Sequence, residues 1–442
     1  MMKKLLFLLC FLPALGQNLG AQERKIDIQE FSLENGLNVI LHQDKSTPIV
    51  AIAVLYHVGS KNEKPDRTGF AHFFEHLLFE GSENIERGEF DAYIENAGGT
   101  LNAYTTSDVT CYFEILPSNQ LELGLWLESE RMLHAKVEQK GIDTQREVVK
   151  EEKRQRYDNQ PYGTFLEQIL KRAYTIHPYQ WTTIGSMDHL NAATEADYVG
   201  FYKQFYVPNN ATLVIAGDID PTQAKTAVEK YFSTIPKSDQ PIYRPVIKEP
   251  AMTAEVRDTI LDKVQLPGVF YAYRTPAIGT EDFYAVNLLT TLLASGESSR
   301  FQKALVDEQQ KAIAVGNFVF EREDPGLAIA YGITAVGVDP KEVEAAIDAE
   351  IAKVQNELIS EEEFQKLRNQ TESNFINSNA TVFGIANNLA TYKALYGDAK
   401  LINTEIDRFM AVTREDIQRV AKKYFVPNNR VVLYYLPNPT QP

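Results

Sequence analysis

The run Gly69-Phe70-Ala71-His72-Phe73-Phe74-Glu75-His76-Leu77-Leu78-Phe79 holds two imidazoles and a carboxylate at a spacing suited to metal chemistry. It has no proline or internal glycine, is strongly apolar, and is followed by Gly81, so it reads as a helix. A helix turns by about 100° per residue, which stacks His72 and His76 on one face with Glu75 beside them. Two imidazoles one turn apart can hold a metal ion, and a neighbouring carboxylate can take a proton from water activated by it. The pattern H-x-x-E-H inverts the commoner H-E-x-x-H and needs a third ligand from elsewhere in the chain.

That ligand has a candidate. Asp143 to about Tyr157 reads as a charged helix with one narrow apolar strip. Val148 and Val149 mark its buried side, and Glu152, four and three residues on, points inward with them. Glu151 shares a face with Glu147 and looks toward solvent. A solvated helix charge is the competing reading of Glu152, as for most glutamates. Gln145 lies on the same inward face two turns earlier. The other histidines lack ligand spacing: His42 and His57 read as structural, and His134, His177 and His189 as surface residues.

The positioning elements follow in order. Asn35-Gly36 joins Ile26–Leu33 to Leu37–His42 as a β-hairpin, and Val50 to Val58 is the next strand. Asp66 and Thr68 are candidate caps for the His72 helix. A helix from about Gly88 to Asn96 stops at Gly98-Gly99, Thr100 to Leu116 reads as one strand, and Leu121 to Leu133 as a helix with Ser118 as cap. Thr194-Glu195-Ala196-Asp197 opens a capped helix that runs into Val207-Pro208-Asn209-Asn210 and a strand. Thr413-Arg414-Glu415-Asp416 and Val426-Pro427-Asn428-Asn429 repeat both features at an offset of 219, which marks a duplicated domain. Four prolines between Ile235 and Asp258 mark the joint. All seven histidines lie at or before His189, so the second copy cannot host the same centre; its equivalent helix, about Val286 to Ser295, is apolar and lacks ligands.

The 442-residue chain is 44% hydrophobic and 24% charged, as in globular proteins, and its length suggests about two to four domains. Lys3 and Lys4 precede an apolar run from Leu5 to Leu15, too short to span a bilayer, which reads as a secretory signal peptide cut after Gly16 or Ala21. Cys10 has no small neighbour, so a lipid anchor is not expected. Losing the two lysines leaves 42 basic against 60 acidic residues, a net charge of -18. Such a surface argues against nucleic acid and anionic membranes as partners. Only Cys111 then remains, and an exported chain without disulfides fits a bacterial periplasm.

The zinc pattern, Gly98-Gly99-Thr100-Leu101-Asn102-Ala103, Arg146-Glu147-Val148-Val149-Lys150-Glu151-Glu152 and the duplicated ending together resemble the pitrilysin/insulinase metallopeptidases, or inverzincins. The nearest likeness is to short forms similar to the catalytic subunit of mitochondrial processing peptidase. The resemblance implies an α+β fold of two homologous domains, each a mostly antiparallel sheet with helices on one face. It divides the chain into a signal peptide (1–21), a zinc-bearing catalytic domain (22–235), a linker (236–258) and a homologous domain without zinc (259–442). It implies one Zn2+ per chain held by His72, His76 and Glu152, Glu75 as general base, and a peptide or unfolded polypeptide substrate lying along an edge strand at Asn102, Ala103, Tyr104 and Thr105. The family often has an acid where Gln145 stands, supporting the site. It also has a second-half Arg and a Tyr seven residues later that bind the substrate carbonyl; Val306 and Ile313 stand there instead, and neither side chain can donate a hydrogen bond. The expectation is therefore a heterodimer with a related subunit supplying Arg and Tyr. The alternatives are a self-sufficient homodimeric peptidase and a non-catalytic assembly subunit.

Overall fold

A computed structural model describes residues 25–439; the expected signal peptide and its cleavage site lie outside the described residues. The first half builds a six-stranded sheet from β1 (Gln29–Ser32), β2 (Asn38–Gln43), β3 (Ile49–Tyr56), β4 (Thr100–Thr105), β5 (Thr110–Pro117) and β6 (Ala211–Gly217), in the order β1-β2-β6-β3-β5-β4. The second half builds a five-stranded sheet from β7 (Val256–Asp262), β8 (Gly268–Arg274), β9 (Ala312–Phe320), β10 (Leu327–Thr334) and β11 (Arg430–Pro437), in the order β7-β11-β8-β10-β9. Both are antiparallel except for one parallel pair each, β2 with β6 and β7 with β11. Strand for strand, β2-β6-β3-β5-β4 matches β7-β11-β8-β10-β9. The repeated caps fold alike too: Thr194 and Thr413 each accept the N–H of the Asp three residues on, which reaches back to the cap. The α+β duplication read from the sequence is thus the architecture.

The helices explain why β3, Ile-Val-Ala-Ile-Ala-Val-Leu-Tyr, is apolar throughout and does not alternate. One face of the first sheet carries Val50, Ile52 and Val54 against the first half's own helices, among them α1 (Phe70–Leu77), α2 (Glu89–Asn96), α3 (Leu121–His134) and α4 (Gln139–Lys153). The other face carries Ala51, Ala53 and Leu55 against Ile385, Ala386 and Leu389 of a second-half helix, Val382–Thr391. The exchange is reciprocal: α5 (Phe165–Ala173) sets Ile169, Leu170 and Ala173 against Phe270, Ala272 and Leu433 of the second sheet.

Several local expectations are corrected. Thr100 to Leu116 is a hairpin of β4 and β5, because Thr106 Oγ1 accepts the N–H groups of Asp108 and Val109 and turns the chain there. Ser118 does not cap α3; its hydroxyl donates to Asp218. α4 begins at Gln139 and ends at Lys153, followed by a π-helical turn, Arg154–Asp158. Val149 is fully buried but Val148 is 44% exposed, so only Val149 marks the inner face. His177 is no surface residue: it is buried, with Nε2 3.3 Å from Asp324.

Candidate metal centre

Buried side chains from outside α1 fix both of its ends. At its start Gly69 takes φ 95°, and an added Cβ would stand 2.8 Å from the Ile184 carbonyl. Neither expected cap serves it: Thr68 Oγ1 lies 2.8 Å from His189 Nδ1 and accepts the Ser186 N–H. The free N–H groups of Gly69 and Ala71 instead donate to the two oxygens of Glu63, each at 2.9 Å. Burial lifts the Glu63 carboxyl to about 8, although those N–H groups favour its ionised form. At the other end Arg131 Nη1 donates to the Leu78 carbonyl at 2.9 Å and Tyr112 donates to the Phe74 carbonyl at 2.7 Å. Arg131 is itself buried among the rings of Phe79, Phe90 and Tyr112 and pairs with Glu128.

The helix brings the His72 and His76 rings to 4.9 Å between centroids. α4 lies alongside and delivers Glu152, whose Oε2 is 3.5 Å from His72 Nε2 and 3.2 Å from His76 Nε2. Donor atoms of these three residues all lie within 4.8 Å of one another, the one such group among the described residues. Glu152 Oε2 is buried without a hydrogen-bond partner. Zinc–nitrogen and zinc–oxygen bonds of about 2.0–2.1 Å place tetrahedral ligand atoms about 3.3 Å apart, so the donor set fits zinc. Burial, then the His76 charge, pushes the His72 imidazole down to about 4, which favours the neutral form a metal needs. Burial would raise Glu152, but His76, His72 and Arg156 outweigh it and hold the carboxyl low. Arg156 was not singled out in the sequence; it stands 2.7 Å from Glu152 Oε1, and its i,i+4 spacing was the available signal.

Glu75 is half-buried on the same helix, its carboxyl raised by burial, an effect the neighbouring Thr105 hydroxyl and His76 oppose. Thr105 closes β4, whose outer edge has no partner strand among the described residues. On that strand Asn102 is exposed and its Oδ1 accepts the Ala103 N–H at 2.8 Å. Tyr104 can offer only its backbone, because its side chain turns to the opposite face and donates to Asn387. Gln145 does not touch the three donors; its amide donates to Glu80, just past α1, and Glu80 pairs with Arg87. In the second half Val306 lies in a π-helical turn, Gln302–Glu308, and Ile313 is 57% exposed on β9, while Arg300 pairs with Glu363 at 2.9 Å.

Fold and site together define a two-domain α+β protein in which two histidines and a glutamate that could hold a metal ion stand beside a half-buried carboxylate. Residues 38–186 match the model of the insulinase family (peptidase family M16), and residues 192–371 that of the peptidase M16 inactive domain. Zinc protease PqqE of Helicobacter pylori is 30% identical over 432 residues, covering 96% of each chain. A probable mitochondrial-processing peptidase subunit beta of Arabidopsis thaliana is 25% identical over 407 residues, covering 89% of this chain and 75% of that one. The crystal structure of a protease from Helicobacter pylori superposes with a TM-score of 0.89 at 29% identity, over 93% of this chain and all of that one. The chain belongs to the insulinase (M16) peptidase family. Among the described residues no helix is long and apolar enough to cross a membrane.

Proposed function

We propose that the chain is an exported, periplasmic zinc endopeptidase for peptides or unfolded polypeptides. The observation that carries this reading is the convergence of His72, His76 and Glu152 beside Glu75, next to an open strand edge. His72, His76 and Glu152 would hold the ion. When bound, zinc acidifies a coordinated water and polarises the scissile carbonyl. Glu75 takes the proton from the attacking water and passes it to the leaving amine, work suited to a carboxyl raised above its ordinary value by burial. The edge of β4 orients the substrate by pairing with its backbone along Asn102, Ala103, Tyr104 and Thr105. Gln145 supports the centre indirectly, by fastening α4 to Glu80.

Val306 and Ile313 provide no donor for the carbonyl oxygen as charge develops on it. A related subunit bringing an Arg and a Tyr would complete the site, as a heterodimer. The test is to load the purified chain with zinc and assay unfolded peptides with and without any related chain that co-purifies with it. Turnover that needs the second chain, and is lost on mutating its Arg or Tyr, supports the heterodimer. Full turnover by the single chain favours the homodimer, and none in either case favours a non-catalytic subunit.

A further inference from the structure

One short segment, Gly59 to Glu63, touches three things that must stay in register. Its main chain clasps the far end of β4: Ser60 N–H donates to the Thr106 carbonyl at 3.2 Å and Lys61 N–H to the Ser107 carbonyl at 2.9 Å. The fit is close enough that a Cβ on Gly59 would meet Ser107 at 2.4 Å. Two residues on, Glu63 holds the start of α1. Between them the Lys61 side chain, 6% exposed, reaches the second half. Its ammonium lies 2.9 Å from Asp108 of the β4–β5 turn, 2.5 Å from Glu323 and 3.4 Å from Asp324, both in the β9–β10 turn. Those turns occupy the same position in the two copies of the fold, so Lys61 sits where matching hairpin tips meet.

The joint is fully engaged. Asp108 also accepts from Tyr179 at 2.6 Å and from the Glu323 N–H at 3.3 Å. His57 lies 2.8 Å from Glu323, and His177 3.3 Å from Asp324. Trp181 donates to the Ser60 carbonyl at 2.9 Å and closes the segment from outside. A buried cation with three carboxylates around it is held in one place, and so is the strand end bonded to its backbone.

We infer that Lys61 is a positioning residue for the peptide substrate: it pins the end of β4 to the second half, and thereby sets the strand edge in register with the metal helix. The inference rests on the reading that substrate pairs with β4. Without the pin, β5 stays paired with β3, and Asp108 keeps its bonds to Tyr179 and the Glu323 N–H, but the turn loses its buried cation and the outer strand β4 shifts more freely relative to Glu75. Binding to the edge then suffers more than the chemical step.

The test uses the full zinc-loaded chain, with any partner it needs, in three variants: Lys61→Met, Lys61→Arg and the double variant Glu323→Gln with Asp324→Asn, the last removing both charges that the other half sets against Lys61. Hydrogen exchange across residues 100–109, the strand β4 and the turn after it, is expected to speed up at least ~10-fold in Lys61→Met and in the double variant, with the core strand β3 unaffected. For a long quenched peptide, KM should rise ~10-fold while kcat stays within ~2-fold, and Lys61→Arg should recover most of the loss. Should Lys61→Met fail to fold, the double variant Glu323→Gln with Asp324→Asn decides. Unchanged exchange over 100–109 overturns the inference, as does a fall in kcat at constant KM. If the wild-type chain hydrolyses nothing, the peptidase reading fails, and the exchange measurement still decides the pinning.

Discussion

The Tyr104 hydroxyl donates to Asn387 Oδ1 at 2.6 Å, joining the edge strand of the first sheet to a helix that lies 283 residues further along the chain. Beside it Phe113 stacks on Phe383 with centroids 4.0 Å apart. The helix Val382–Thr391 thus completes the back of the first sheet, as α5 completes the back of the second. Neither half can bury its sheet alone. The two halves are expected to unfold in one calorimetric transition. Ala386→Asp, which puts an unpaired charge in that seam, should lower stability by at least about 3 kcal/mol and keep the transition single. Two separate transitions in the wild type would contradict the exchange.

Glu152→Gln should retain the fold and lose zinc. The amide replaces the one acidic ligand, and Oε2 is the atom that faces both imidazoles. Groups that only hydrogen-bond to a ligand are worth about 10–100-fold in affinity at such centres, and a direct ligand should cost more. Metal analysis after dialysis checks this; a full equivalent of zinc retained would remove Glu152 from the centre.

Glu75→Gln should keep zinc and the helix but cut hydrolysis by at least about 10²-fold, the usual cost of losing a general base. The substitution changes charge and leaves shape nearly untouched. Steady-state assay beside metal content separates the two effects, and near-normal turnover would assign the proton to another group.

Glu63→Ala should reach the metal centre without touching it. It strips the Gly69 and Ala71 N–H groups of their shared acceptor in a buried place, at a cost of about 1–3 kcal/mol per group. The first turn of α1, which carries His72, loosens. Zinc affinity is expected to fall while catalytic competence at saturating zinc stays. A melting temperature and zinc affinity both equal to wild type would show that the helix start is held by other contacts.

What could be read from the sequence follows the range of the interactions. His72, Glu75 and His76 are set by helix periodicity within one turn, and the duplicated caps by local hydrogen bonding, so both were legible. Glu152 was reached partly through Val148, which is exposed; the inward face is that of Val149 alone. Glu63 was missed because it caps from six and eight residues upstream, outside the spacing of an N-cap side chain. The β4–β5 turn was missed because Thr and Tyr on both sides favour strand, while the turn is fixed by the Thr106 hydroxyl and by main-chain bonds to Val109 and to the distant Ser60 and Lys61. His177 looked like a surface loop residue because its partner Asp324 belongs to the other half.

The last prediction concerns Glu249, in the stretch between the halves. Its carboxylate accepts the N–H groups of Thr175, Ile176 and His177 at 2.8, 3.0 and 2.8 Å, and meets Arg274 of β8 at 3.1 Å. Burial would raise its carboxyl, but the Ile176 and Thr175 donors, with His177, outweigh that and hold it at about 2, against an ordinary 4.5. A carboxyl depressed in the folded state adds stability that is present above its unfolded value and is lost as pH falls through its folded one. At about 1.4 kcal/mol per unit this depression is worth about 3.5 kcal/mol at most, and solvent screening brings the expected contribution at neutral pH to about 2–3 kcal/mol. That contribution should fade between pH 4.5 and about 2. Glu249→Gln is expected to be less stable than wild type at pH 7, with the gap closing across this window as wild-type Glu249 takes up its proton. Denaturant titrations at pH 7, 4 and 2.5 check it, and a gap that stays constant or widens toward acid would mean that the carboxylate is not what holds residues 175–177 to β8.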